Sequence, residues 1–182
     1  SYNNMFFIKV FLKYLMRLIV FFLIFFSLNK LTMAEEKKAY FAGGCFWCVE
    51  EAFEKTPGVL KAISGYTGGD LKNPTYEQVT YNETGHYEAV EVVYDPKVIS
   101  YKQLLDVFWK NIDPYDAQGQ FCDKGSSYLT AVFYQNDEEK SAFEDSKKKL
   151  GKSDISDFVT HLKKLDVFYP AEDYHQDYYK NN

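Results

Sequence analysis

The chain has 182 residues, 46% of them hydrophobic and 19% aromatic, which is ample for the core of one domain of ordinary size. Residues 1–34 carry Lys9, Lys13, Arg17 and Lys30 and no acid, so the remainder holds 26 acids against 17 bases, a net of −9. A domain that acidic has no electrostatic footprint for DNA or RNA, and nucleic-acid binding is excluded as its function. The N-terminal stretch comes first in chain order and reads as a targeting segment. Lys9, Lys13 and Arg17 form a basic region, and Leu18 to Leu28 is apolar but for Ser27. That run suits the core of a signal peptide and falls short of the roughly 20 apolar residues of a spanning helix. Residues 1–33 are expected to be a signal peptide or N-terminal anchor, and residues 34–182 a single catalytic domain. The domain would then be periplasmic or otherwise exported, touching a membrane only through the N-terminal segment. The alternative is a cytoplasmic protein whose translation starts at Met33.

The remaining elements follow from periodicity and breakers. Ala39 to Ala42 ends a strand, Gly43 and Gly44 turn the chain, and a helix over 45–55 stops at Thr56-Pro57-Gly58. Val59 to Tyr66 is a strand and Pro74 to Val79 one helical turn. His86 to Tyr94 alternates as a strand, with Glu88, Val90, Val92 and Tyr94 on one face. Ser100 caps a helix whose apolar face is Leu104, Leu105, Phe108 and Trp109. Residues 113–127 form a long loop, a place where function concentrates. Tyr128 to Tyr134 is a strand, Asp137 to Leu150 a charged helix ended by Gly151, Phe158 to Leu162 a last strand, and Ala171 to Tyr179 one or two helical turns. The order β-α-β-β-α-β predicts an α+β fold, a two-layer α/β sandwich with a ferredoxin-like core.

The chemistry gathers at Cys45. It falls at the start of the first helix, where unpaired N–H groups and the positive dipole end favour a thiolate, the nucleophilic form of cysteine. Gly43 and Gly44 leave the sulfur open to close approach, and Phe46 and Trp47 set two apolar rings beside it. Such a site suits a soft, apolar group. Three other readings of Cys45-x-x-Cys48 stand beside this one. It is half of a zinc site, with Cys122 and the scattered His86, His161 and His175 as the only other candidates; a structural disulfide of an exported protein; or a thioredoxin-like redox motif, which usually has the tryptophan before the first cysteine.

Glu88 shares a face with Val90 and Val92. If that face is buried, desolvation keeps the carboxyl group protonated and ready to donate. If instead Tyr87, Ala89, Glu91 and Val93 face the core, Glu88 is solvated. Asp123, next to Cys122 in the long loop, suits a site aspartate or a turn cap equally.

Six blocks, taken together, identify a family. They are Ala42-Gly43-Gly44-Cys45-Phe46-Trp47-Cys48, Ser64-Gly65-Tyr66-Thr67-Gly68-Gly69, Asn73-Pro74-Thr75-Tyr76, Thr84-Gly85-His86-Tyr87-Glu88-Ala89-Val90, Gln120-Phe121-Cys122-Asp123, and the run from Tyr169 to Tyr178. In this order they resemble peptide methionine sulfoxide reductase A from about Ala39 to Tyr179. The resemblance implies reduction of the S epimer of methionine sulfoxide, free or in proteins, as a repair of oxidative damage. It places the nucleophile on Cys45, the methyl-binding rings on Phe46 and Trp47, the oxygen-binding groups on Tyr76, Glu88 and Tyr128, and a supporting aspartate on Asp123. It implies no metal and no bound cofactor, an external dithiol such as thioredoxin as electron donor, and a monomer. The chain departs from the family at Lys124, where many members have arginine, and in ending at Asn182 without the glycine-rich, cysteine-bearing tail of many members.

In the implied mechanism Cys45 attacks the sulfoxide sulfur, Glu88 protonates the oxygen while Tyr76 and Tyr128 hold it, and a Cys45 sulfenic acid condenses with a second thiol. Cys48, one helical turn away, is the expected resolving thiol and Cys122 the alternative. If residues 122–123 are extended, Cys122 points away from Asp123 and is a buried structural thiol. Two other classes remain: a thiol-disulfide oxidoreductase acting on exported proteins, and a non-catalytic exported binding module.

Overall fold

The structure, a computed structural model, describes residues 11–18, 35–81, 83–150 and 157–181. The chain separates into two units, Ser1–Ala34 and Glu35–Asn182. In the first, residues 11–18 are helical, and the rest of the expected signal peptide lies outside the described residues. Among the described residues no helix is long and apolar enough to cross a membrane.

In the second unit the strands are β1 (Lys37–Gly43), β2 (Val59–Thr67), β3 (Tyr87–Tyr94), β4 (Gly119–Gln120), β5 (Asp123–Lys124), β6 (Thr130–Tyr134), β7 (His161–Lys164) and β8 (Phe168–Pro170). The helices are α1 (Phe46–Glu54), α2 (Tyr76–Tyr81), α3 (Tyr101–Lys110), α4 (Asp137–Lys149) and α5 (Tyr178–Asn181), with 3₁₀ turns at Ser126–Tyr128 and Asp173–His175. Six strands form one curled sheet in the order β7-β6-β1-β3-β2-β8. All its neighbours are antiparallel except β6 and β7. Strands β4 and β5 pair separately as a short hairpin.

Helices α1 and α3 bury their apolar stripes against one face of the sheet. Phe46, Val49 and Phe53 from α1 and Leu104, Leu105 and Phe108 from α3 meet Phe41, Val90 and Val92 from the strands. Each such side chain contributes roughly 1.5–3 kcal/mol by leaving water. Ser100 fixes where α3 begins through a reciprocal cap: its Oγ accepts from the Gln103 N–H, and its own N–H donates to Gln103 Oε1 at 2.9 Å. The opposite face holds a smaller core of Tyr40, Ala42, Tyr87, Ala89, Ala131 and Phe133, covered by Leu165 and Phe168.

Four features differ from the sequence reading. Strand β3 is buried along its whole length, so the choice between its two faces was false: both are inside. The 113–127 segment is not structureless but folds around the β4–β5 hairpin. Tyr128 ends a 3₁₀ turn, and the strand expected to start there begins at Thr130. The last strand is two, β7 on one sheet edge and β8 on the other, each too short to carry a period.

Candidate active site

The site forms where β1 runs into α1. Gly44 turns the chain with φ +83°, a conformation that favours glycine, and a Cβ there would meet the Gln120 side chain at 2.5 Å. Gln120 is itself locked in place, its Oε1 accepting from the Asp113 N–H at 2.7 Å and its Nε2 donating to the Asp113 and Gly119 carbonyls. The β4–β5 hairpin therefore backs directly onto the turn that carries Cys45. Cys45 is the N-cap of α1, and its carbonyl accepts from the N–H groups of Cys48 at 3.2 Å and Val49 at 3.4 Å.

Glu88 projects from β3 under this helix start. Its Oε2 accepts the Phe46 N–H at 3.0 Å, one of the orphan donors of the first turn. Its Oε1 makes no hydrogen bond of ordinary length, although only 1% of the residue is exposed. Burial pushes the carboxyl group up to about 7, the Asp123 charge adds to this, and the Phe46 N–H and Tyr128 hydroxyl oppose it. Near neutral pH this glutamate holds or releases a proton, the property a general acid needs.

The helix start does not leave Cys45 a thiolate, as the sequence suggested. Burial and the nearby Glu88 carboxylate push the thiol up to about 12, against the N–H groups of Cys48 and Trp47 that pull it down. The dipole is one term among several, and here desolvation and a like charge outweigh it. Near neutral pH the resting site is a thiol beside a carboxyl group that titrates in the same range. When Glu88 is protonated, one of the causes that holds the proton on sulfur is gone.

The tyrosines complete the pocket. Tyr76 opens α2 and Tyr128 closes the 3₁₀ turn, and each is raised by burial first and by Glu88 second. Their hydroxyls are in hydrogen-bonding reach of one another. Asp123 on β5 is close enough to act on both Glu88 and Tyr128. Lys124 pairs with Asp116, which ties β5 of the hairpin to the loop before β4.

The apolar wall is built from two parts of the chain. Phe46 is 1% exposed and lies 6.0 Å from Trp47, 5.2 Å from His175 and 6.2 Å from Tyr76, centroid to centroid. Trp47 stacks on Tyr178 at 3.8 Å with 8° between planes. The C-terminal segment is a strap laid along α1: beyond Tyr178, Tyr179 Oη lies 3.5 Å from Cys48 Sγ, and Lys180 Nζ pairs with Glu54 at 2.6 Å.

Several of these residues carried no assigned role in the sequence reading. Glu172 accepts from the Tyr66 hydroxyl at 2.8 Å and the Tyr76 N–H at 2.9 Å, so it fixes the start of α2. His175 is 2% exposed, and neither ring nitrogen has a partner among the described residues. Glu172 precedes and His175 ends a 3₁₀ turn too short to show a period, and their only signal was the aromatic and acidic run that also carried the family resemblance.

All three cysteines are free. Cys48 is exposed beside the strap. Cys122 is exposed as well, in the two-residue turn between β4 and β5, and is not the buried thiol expected from an extended chain. Among the described residues no three His, Cys, Asp or Glu side chains gather as metal ligands would. A hollow of about 360 Å³ lined by Lys37, Tyr94, Tyr101 and Glu139 lies at the other end of β1, remote from the nucleophile.

Residues 37–182 match the model of the family described as Peptide methionine sulfoxide reductase. The chain is 53% identical over 153 residues to peptide methionine sulfoxide reductase MsrA of Bacillus licheniformis, covering 82% of this chain and 84% of that protein. To MsrA of Bacillus subtilis it is 52% identical over 153 residues, covering 82% and 86%. Among solved structures, Mxr1 of Saccharomyces cerevisiae in reduced form superposes with a TM-score of 0.72 at 30% identity, over 84% of this chain and 89% of that one. Mxr1 has also been solved in complex with Trx2, a likeness of fold at 24% identity, TM-score 0.52, over 79% and 86%. With a matched model spanning the whole second unit and half of all aligned residues identical, the chain belongs to the peptide methionine sulfoxide reductase family, in its MsrA branch.

Proposed function

We propose that the protein reduces the S epimer of methionine sulfoxide, free or in polypeptides, by thiol chemistry at Cys45. The observation that carries this reading is Glu88: a buried carboxyl group, tethered to the first turn of α1 by one oxygen, with the other oxygen left for a substrate. The methyl group of the sulfoxide packs on Phe46 and Trp47, and its oxygen points to Glu88, Tyr76 and Tyr128. The third substituent, the side chain leading to the peptide, faces solvent. Three fixed directions around a stereogenic sulfur select one hand, and the family resemblance makes that hand S. Cys45 sulfur forms a bond to the substrate sulfur as Glu88 transfers its proton to the oxygen. Neutralising the developing oxyanion is what lets the S–O bond break. The oxygen leaves as water, with one proton from Glu88 and one from the Cys45 thiol. A water then attacks the Cys45 sulfur, the S–S bond breaks, Glu88 regains its proton, and the products are methionine and a Cys45 sulfenic acid. Assay of methionine released from the S and R sulfoxides, with dithiothreitol as reductant, tests the reading; equal rates on both epimers overturn it.

Cys48 resolves the sulfenic acid, with loss of water and formation of a Cys45–Cys48 disulfide. Side chains three residues apart on a regular helix have Cβ atoms about 5–6 Å apart, whereas a disulfide needs about 3.5–4.5 Å. The Cys48 N–H to Cys45 carbonyl bond supports the pairing, because an i to i+3 bond already tightens this turn toward 3₁₀ geometry. One equivalent of sulfoxide without reductant is expected to link the two cysteines within the tryptic peptide 39–55. Cys48→Ser should still release one methionine per enzyme and lose thioredoxin-driven turnover. A Cys45–Cys122 link would assign the role to the hairpin instead. A thioredoxin-type dithiol is the natural reductant for such an exposed disulfide, as Mxr1 is known to bind Trx2.

Export follows from the basic and apolar segments of residues 1–33. A fusion of residues 1–40 to a reporter is expected outside the cytoplasm, and Leu23→Arg with Phe25→Arg should retain it. A soluble cytosolic product starting at Met33 would overturn the leader reading.

A further inference from the structure

Two large aromatic side chains stand in solvent on the elements that carry the site: Phe121 is 71% exposed and Tyr174 67%. Scattered exposed aromatics need no explanation, but these two are placed by the site. Phe121 occupies the β4–β5 turn with φ 49°, a left-handed conformation that a bulky residue rarely adopts. Its neighbour Gln120 packs against Gly44, and Asp123, two residues on, acts on Glu88. The Tyr174 ring lies 4.2 Å from that of His175, which lies 4.4 Å from Tyr76 and 5.2 Å from Phe46. Phe121 thus stands on the hairpin that backs the Cys45 turn, and Tyr174 on the segment whose His175 packs against Tyr76 and Phe46.

We infer that Phe121 and Tyr174 form a docking rim for an extended polypeptide segment, whose apolar residues two places before and two places after the oxidised methionine lie against these two rings. The inference rests on the reductase reading of Cys45 and Glu88. The occupant follows from the chemistry of the damage. Oxidation turns a flexible apolar side chain into a polar one and disrupts the core it belonged to, so the segment that presents it carries apolar neighbours. In an extended segment alternate side chains share a face, so the residues two before and two after the methionine face the rim with it, each roughly 7 Å from it along the chain. The net charge of −9 beyond residue 34 adds a general attraction for segments that also carry lysine or arginine.

The test compares kcat/KM on free methionine S-sulfoxide and on a five-residue peptide with the sulfoxide at its third position and leucine at its first and last, with dithiothreitol as reductant. Phe121→Asn keeps a residue that tolerates the left-handed turn, and Tyr174→Ser removes the other ring. Each is expected to lower kcat/KM on the peptide about 5- to 10-fold, through KM, and to leave the free amino acid within about twofold. Val98→Asn removes a side chain 60% exposed at the other end of the sheet and should change neither. Equal losses on both substrates, or none on the peptide, overturn the rim. A loss seen only with thioredoxin as reductant assigns the rings to the reductant and overturns it as well. Failure of the unaltered protein on both substrates overturns the reductase reading itself, and the rim with it.

Discussion

Cys45→Ser is expected to release no methionine from the S-sulfoxide, with any reductant, while the fold remains at least as stable as the parent. The two halves of this expectation come from one position. Cys45 is the N-cap of α1, yet its side chain makes no capping hydrogen bond. Serine is among the preferred N-cap residues, worth about 1 kcal/mol over a residue that cannot cap. The substitution therefore improves the helix start as it removes the nucleophile. A hydroxyl is a far weaker nucleophile than a thiolate, and the neighbouring Glu88, which titrates at about 7, is too weak a base to ionise it. A single-turnover assay without reductant reads the chemistry, one methionine per protein against none, and a thermal melt reads the fold. Retention of about a tenth of the parent rate by a well-folded Cys45→Ser would remove this sulfur from the mechanism.

Glu88→Gln is expected to slow turnover on the order of 10²-fold, the usual worth of a positioned general acid. Glutamine still accepts the Phe46 N–H and still donates a hydrogen bond to the sulfoxide oxygen, but it has no proton to give. In the parent enzyme kcat/KM should fall as pH rises through about 7, where Glu88 loses its proton, and the variant should lack that limb. Rates unaffected by the substitution from about pH 5 to about pH 9 would exclude the acid role.

Stability moves the opposite way. Burial raises the folded-state pKa from 4.5 to about 7, so the folded protein binds this proton more tightly than the unfolded chain does. The associated stability is complete below about 4.5 and is lost as pH rises through about 7, a loss of up to about 3 kcal/mol. Glutamine is neutral throughout. At about pH 8 the variant should therefore melt above the parent, and a lower melting temperature would show that the ionised carboxylate is not the burden its burial implies.

What could be read from the sequence divides by the kind of backbone that holds it. Cys45 was legible because a strand, two glycines and a helix are all local patterns. Its protonation was not: the Glu88 carboxylate that opposes ionisation comes from β3, brought alongside by tertiary structure. Alternation placed Glu88 on a defined face of β3, but a period of two cannot tell which face is buried when the sheet curls and both are. Tyr128 was put on a strand because nothing in Ser126-Ser127-Tyr128 announces a 3₁₀ turn. The orientation of Cys122 was misjudged through one residue. An extended chain alternates its side chains, and the left-handed Phe121 breaks that alternation at the hairpin turn. His175 and Glu172 lie in segments with no period at all.

The near-parallel stack of Trp47 on Tyr178 gives the protein an optical probe of its own. The chain has two tryptophans. Trp109 is 9% exposed and donates its indole N–H to Ser146 inside the core, so its emission is blue and indifferent to the cleft. Trp47 lies between the methyl pocket and the strap, and its emission registers both who occupies the one and whether the other is in place. In Trp109→Phe only that second emitter remains. Its lifetime and anisotropy then report, without any label, whether Tyr178 stays stacked on Trp47 when the sulfoxide is added and when the cysteines are oxidised.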